Sequence, residues 1–199
     1  MNHYTQMQLF KSDFLNCEAQ NASPSEEEFI CKSLSDFEII KRYDMVVIDQ
    51  SLTLTRNQNK SYLALINITF TYKGAKSPQA IRTEVEQEIV GFARLKKNYG
   101  KVLIRPETIE DKIVELFDHA DIDFSEEPDF SKKYYVFASD EVCFRKNVTP
   151  SFLQAIAKQD FFEIEILGEL LLIKVSQVYT PEVGKAISEC ILQINNGFH

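Results

Sequence analysis

The chain has 199 residues, 44% of them hydrophobic, which is enough for one large core or two small ones. Its formal charge of -8 argues against nucleic acid as a main partner, because neutralising phosphates needs a basic surface. The four cysteines (Cys17, Cys31, Cys143, Cys190) form no C-x-x-C pair and read as reduced thiols in a cytoplasmic setting. No apolar run approaches the roughly 20 residues that cross a bilayer. Residues 1–21 lack the basic start and apolar stretch of a signal peptide.

From the N-terminus, Met7, Phe10, Phe14 and Leu15 recur at helical spacing and predict a short amphipathic helix. Residues 20–28, rich in Ser, Pro and Glu, predict a flexible arm. The stretch 35–105 is mainly β, with strands expected at 43–49, 52–56, 62–72, 86–96 and 102–105. Asn57-Gln58-Asn59-Lys60 and Lys97-Asn98-Tyr99-Gly100 look like hairpin connections, and residues 73–78 like a loop. Residues 80–89 are compatible with a helix, but alternation of Glu84, Glu86 and Glu88 favours an exposed edge strand.

Residues 106–117 carry Ile109, Ile113, Leu116 and Phe117 on one helical face, with acids in the first turn. An acidic linker is expected at 118–129 and an aromatic strand at 134–139. Thr149-Pro150 and Thr180-Pro181 each combine an N-cap threonine with proline at the first helical position. The first helix presents Phe152, Leu153, Ile156 and Ala157; the second presents Val183, Ile187, Cys190, Ile191 and Ile194.

The sharpest pattern lies between them. Phe162, Ile164 and Ile166 alternate with Glu163, Glu165 and Leu167, and Gly168-Glu169 supplies a two-residue type II′ or I′ turn. That turn fixes the register, pairing Leu167 with Leu170, Ile166 with Leu171, Glu163 with Lys174 and Phe162 with Val175. One face of the hairpin is wholly apolar. The other carries Glu163 opposite Lys174, read as a surface ion pair, beside Leu167, Leu170 and Leu172. Either a helix covers these leucines, the one starting at Thr180 being a candidate, or they form an apolar patch for a partner. The expected fold class is α+β, with a β-rich first half and a mixed second half whose C-terminal hairpin is packed by two helices. The expected division is 1–34 (helix and arm), 35–117 (β-rich subdomain) and 118–199 (α+β subdomain).

Chemistry-bearing constellations are sparse. His3, His119 and His199 are far apart in sequence, and the acids of 118–129 lack the spacing and glycine of an EF-hand loop, so no metal site is expected. The six glycines are isolated, which removes both the dinucleotide fingerprint and the phosphate loop, and no cofactor is expected. No G-x-S-x-G elbow is present. His119, at the end of a predicted helix, and Cys143, near Arg145, are the residues nearest to a base and an activated thiol; an exposed histidine and a core cysteine are the preferred readings. Arg94, Lys96, Lys97, Lys101 and Arg105, with Tyr99 at the tip, gather cations in one predicted hairpin. That patch suits an anionic membrane surface or an acidic protein segment, set against the plainer reading of a solvated, lysine-protected hairpin.

Phe130, Tyr134-Tyr135-Val136, Ser139-Asp140 and Val148-Thr149-Pro150-Ser151-Phe152-Leu153, followed by a hairpin, form an ordered series. The series resembles an uncharacterised bacterial domain family with an F-x-x-x-[FY]-x-V-x-[AS]-x-D strand and a [LV]-T-P-x-[FLM] helix start. Gly91-Phe92 and Val102-Leu103-Ile104-Arg105-Pro106 also suit its first half, and the likeness spans residues 35–176. Members often carry two transmembrane helices near the N-terminus, which this chain does not show. The family has no assigned activity, so the resemblance implies no catalytic residue; the matching positions look like caps and core.

The expected function is therefore that of a non-catalytic bacterial module binding a protein or membrane-associated partner. Leu167, Leu170, Leu172, Lys96, Lys97, Tyr99 and Lys101 are the candidate contact residues. The expected location is cytoplasmic or peripheral to the inner face of the membrane. The competing expectation is an enzyme or small-ligand receptor with a pocket between the two halves, lined by His119, Asp140, Glu141 and Arg145.

Overall fold

The computed structural model describes residues 17–74, 77–107, 121–175 and 180–196. The fold is α+β, built on one antiparallel sheet. Its strands are β1 (Glu18–Asn21), β2 (Met45–Arg56), β3 (Asn59–Gly74), β4 (Ser77–Arg94), β5 (Lys101–Pro106), β6 (Tyr134–Ala138), β7 (Phe162–Leu167) and β8 (Leu170–Val175). In space their order is β1-β2-β3-β4-β8-β7-β5-β6. The helices are α1 (Pro24–Leu34), α2 (Glu38–Lys41), α3 (Pro128–Ser131), α4 (Glu141–Asn147), α5 (Pro150–Ala157) and α6 (Pro181–Asn196). The predicted helices around Met7–Leu15 and over 106–117 lie largely outside the described residues; Pro106 itself ends β5.

The β7–β8 hairpin has the expected register, from Leu167↔Leu170 out to Phe162↔Val175. Gly168 takes a positive φ (64°) and Glu169 does not, which selects type II′ over type I′. Asn57 and Gln58 both have positive φ, as a type I′ turn between β2 and β3 requires. Thr149 and Thr180 cap as expected, their hydroxyls accepting from the Phe152 and Val183 amides at 3.3 Å each.

Several expectations need correction. The predicted arm at 20–28 is the end of β1, the Ser23 cap and the start of α1. Ser23 and Glu26 form a capping box, with the Ser23 amide donating to Glu26 Oε2 at 2.8 Å. Strands 43–49 and 52–56 are one strand, β2, bulged at Asp49 between Ile48 and Gln50. That extra residue changes which alternate positions face which side. Val46 and Ile48 point to one face of the sheet; Leu52 and Leu54 point to the other. Residues 73–74 and 77–78, expected in a loop, belong to β3 and β4. The helical alternative for 80–89 is excluded, since β4 pairs with β3 throughout that stretch.

The connection 95–100 is not a hairpin. β4 pairs with β8, while β5 pairs with β7 and β6, so the chain crosses the end of the β7–β8 hairpin. Its backbone straps that turn: Leu95 donates to Glu169, Tyr99 to Gly168, and Gly168 to Gly100.

The two sheet faces are covered differently. On the first, Phe162, Ile164, Ile166, Leu171, Ile173 and Val175 meet α5 and α6 in a large apolar core. Gly91 lets α6 approach: a Cβ there would lie 2.5 Å from Ile187 Cγ2. On the second face, α1 and α2 lie over the middle strands, with Ile30, Leu34, Phe37, Ile39 and Ile40 fully or almost fully buried. The α6 helix therefore does not cover the three leucines of the hairpin. Leu172 is buried beneath the N-terminal helices, and Leu167 and Leu170 pack half-buried at the edge of that core.

Candidate functional site

Under α2 the sheet presents charge. Glu163, Glu165 and Lys174 are at most 2% exposed, and Glu88 is 8% exposed. The expected surface pair Glu163–Lys174 is adjacent in register but buried, and each residue has another ionic partner. Arg42 Nη2 donates to Glu163 at 3.0 Å, and Lys174 Nζ lies 3.0 Å from Glu88 Oε2. Both cations lie over the Tyr43 ring, Arg42 5.3 Å and Lys174 5.6 Å from its centroid.

Glu165 reaches the other end of α2. The N-cap residue, Phe37, offers no side-chain cap, and the Ile39 amide donates instead to Glu165 Oε2 at 3.0 Å. Burial raises the Glu165 carboxyl above its ordinary range, against the pull of the α2 amides. Burial raises Glu88 as well, and nearby Lys174 does not fully offset it. Two alternate glutamates of β7 thus pin the start and, through Arg42, the end of one short helix. Sequence reasoning missed this cluster, because glutamates alternating along a strand look solvated until a second layer is known to lie above them.

α1 is anchored by a different carboxylate. Glu26 accepts from Lys60 Nζ (2.8 Å), the Ser23 amide and Thr53 Oγ1 (3.1 Å), tying the helix start to β2 and β3. The Lys60 bond first, and then the Ser23 amide, hold its carboxyl down at about 2.

The predicted cation hairpin is divided by the crossover. Arg94, Lys96 and Lys97 are exposed near the C-terminal end of α6. Lys101 turns to the second face, 3.6 Å from Glu38, and Arg105 lies over the Tyr135 and Phe137 rings. Tyr99 is not an exposed tip. It is 8% exposed and stacks on Phe152 with centroids 5.6 Å apart.

Three of the residues proposed for an inter-half pocket, Asp140, Glu141 and Arg145, lie together on α4 and its N-cap. His119 lies outside the described residues. Asp140 caps α4, accepting from the Cys143 amide at 2.8 Å. Glu141 and Arg145 pair with each other one helical turn apart, and Arg145 lies 4.9 Å over the Phe124 ring. The Cys143 thiol is half-buried and donates to the Asn98 carbonyl.

A third feature lies at the far end of β4. β8 pairs only with Val90–Arg94, so among the described residues positions 77–89 have a hydrogen-bonded neighbour on the β3 side alone. Glu84 and Glu86 stand exposed on one face of this edge. On the other, Val85 is 66% exposed, and Met45 and Val47, on β2, are 55% and 46% exposed. The alternating glutamates had predicted an exposed edge strand; Val85 between them escaped notice.

Among the described residues, no cluster of three or more His, Cys, Asp or Glu is arranged to hold a metal ion, and no helix is long and apolar enough to cross a membrane. No protein-family model, curated protein or solved structure matches this chain.

Proposed function

We propose that the protein is a non-catalytic interaction module that takes an extended segment of a partner protein onto the free edge of β4. The observation that carries this reading is the overhang of β4 beyond β8, with Val85 exposed between two glutamates. Such an edge, which beyond β8 no described strand pairs, presents backbone groups to an added strand, and alternate side chains set its specificity. Glutamates alone would serve to repel other edges. Exposed Val85 supplies apolar contact that pure protection does not need.

Charge complementarity defines the partner. Its strand carries Lys or Arg at alternate positions facing Glu84 and Glu86, and β-branched or apolar residues facing Val85. A second copy of this chain is disfavoured, since antiparallel pairing centred on Val85 would place Glu84 opposite Glu86. The exposed thiol of Cys31 supports a reducing, cytoplasmic setting for the encounter.

The test is a titration of the labelled protein with an extended peptide alternating lysine and valine, followed by backbone NMR. Shifts concentrated at 83–88, weakened more than tenfold by Glu84→Lys with Glu86→Lys, are expected. Binding that is absent, or equal in the charge-reversed protein, rejects the reading.

A further inference from the structure

Two adjoining clefts run along the end of β4, the residues after it and the end of α6, a few residues beyond the 77–89 edge. One, of about 600 Å³, is lined by Lys60, Tyr62, Arg94 and Lys96 among others; the next, of about 220 Å³, by Lys96, Lys97, Thr149 and Ser151. Leu95, Lys96 and Asn195 line both, so the two form one groove.

The chain carries a net charge of -8, yet no Asp or Glu is among the described residues lining either cleft. Four cations face the groove instead. Lys60 is held by Glu26, and Arg94 rests over the Phe29 ring at 5.4 Å. Lys96 and Lys97 are exposed and make no ion pair with a described residue. A cleft lined by one sign of charge above a low-dielectric floor concentrates counter-ions. Here the floor is the Tyr99–Phe152 stack with Leu95, all buried. The wall is polar, with the Thr149 and Ser151 hydroxyls 3.0 Å apart.

We infer that this groove is a binding site for a phosphate-bearing molecule, its anion met by Lys96 and Lys97 and its non-polar part lying along Leu95 and the aromatic floor. Lysines that no described residue pairs, beside hydroxyls, suit a compact anion with several acceptor oxygens. The smaller cleft admits a phosphate with a ring-sized substituent and little more.

The experiment uses the full chain with three probes: inorganic phosphate, phenyl phosphate, and vesicles containing phosphatidic acid. Saturable NMR shifts at 95–99 and 149–152 with phenyl phosphate are expected, with affinity on the order of 1 mM or tighter at low salt. Inorganic phosphate should bind more weakly by the loss of the floor contact. Lys96→Glu with Lys97→Glu, both at exposed positions, should lower phenyl phosphate affinity at least tenfold while leaving binding of the lysine–valine peptide unchanged. Vesicle sedimentation in addition to phenyl phosphate binding assigns the phosphate to a lipid headgroup; phenyl phosphate binding without it assigns a soluble ligand. No saturable shift with phenyl phosphate, or equal binding by the double variant, overturns the site.

Discussion

The two faces of the sheet are made by the same strands and stabilised in opposite ways. On the α5–α6 face, alternate residues of β7 and β8 are all aliphatic or aromatic, and helices with their own threonine caps close over them. On the α1–α2 face, the intervening residues include Glu163, Glu165 and Lys174, buried as completely as the apolar set. The first face needs only shape and hydrophobicity. The second needs ionic and helix-end partners placed to within hydrogen-bond distance: Glu163 and Glu165 receive them from residues 121 and 126 positions earlier in the chain, and Lys174 from Glu88. A core of the first kind tolerates approximate packing, whereas a core of the second kind is sensitive to the loss of any one partner.

The largest effect should follow from breaking the charged core. Lys174→Met leaves Glu88 buried without its cation and should lower stability by about 3–5 kcal/mol. Removing the other charge as well, in Lys174→Met with Glu88→Leu, should restore most of that loss, because an apolar pair of similar volume needs no compensation. Urea denaturation of the two variants measures both. A single variant within about 1 kcal/mol of wild type would show that the pair is not carrying the second face.

The matching perturbation of the apolar face is smaller. Gly91→Ala places a methyl 2.5 Å from Ile187 Cγ2, and α6 must shift outward. Overpacking of this kind costs about 1–3 kcal/mol. The cost should fall when Ile187→Ala is made in the same chain, giving a coupling of at least about 0.5 kcal/mol in a double-mutant cycle. Strict additivity would mean that the close approach of helix and strand is not the cause.

Below these comes the local cap. Thr149→Ala removes the acceptor for the Phe152 amide and should lower stability by about 1 kcal/mol, by the same amount at every pH between 5 and 8. A melt series across that range checks it.

The apolar face was legible because its signals are local. A two-residue turn with glycine first fixes the β7–β8 register, and Thr-Pro marks two helix starts within three residues of their hydrogen bonds. The charged face was not, for two reasons. Its glutamates depend on Arg42 and the α2 amides, and no sequence spacing relates 165 to 39. The bulge at Asp49 also reverses the alternation of β2, so Ser51 and Thr53 turn towards Glu27 and Glu26, and nothing within the strand announces it. One signal was present and overlooked. Ser23-Pro24-Ser25-Glu26 has the spacing of a capping box and marks the start of α1 within the supposed arm. Of the candidate surfaces, the edge of β4 could be read from Glu84 and Glu86, whereas Glu88, the third of the alternating acids, is buried against Lys174. The cation groove was only half readable: Lys96 and Lys97 stay in it, but the strap across the β7–β8 turn carries Lys101 and Arg105 to the other face.

Stability against pH gives the finest separation of the two kinds of carboxylate on the α1–α2 face. Glu26 is held below its ordinary value of 4.5, so its contribution is full above that value and is lost as pH falls from there towards about 2. Glu165 and Glu88 are raised above 4.5, which reverses the sign: their contribution is full in acid and is lost as pH rises through the raised values. Glu165→Gln keeps an acceptor for the Ile39 amide and removes the titration. The variant should therefore change stability less than the Thr149 cap does at pH 5, and it should lose less stability than wild type between pH 5 and 8. Glu26→Gln should change the opposite limb, flattening the loss below pH 4.5. Parallel curves for wild type and Glu165→Gln across the neutral range would mean that the buried carboxyl is already ionised and fully compensated, and that the helix end alone, without a proton, satisfies it.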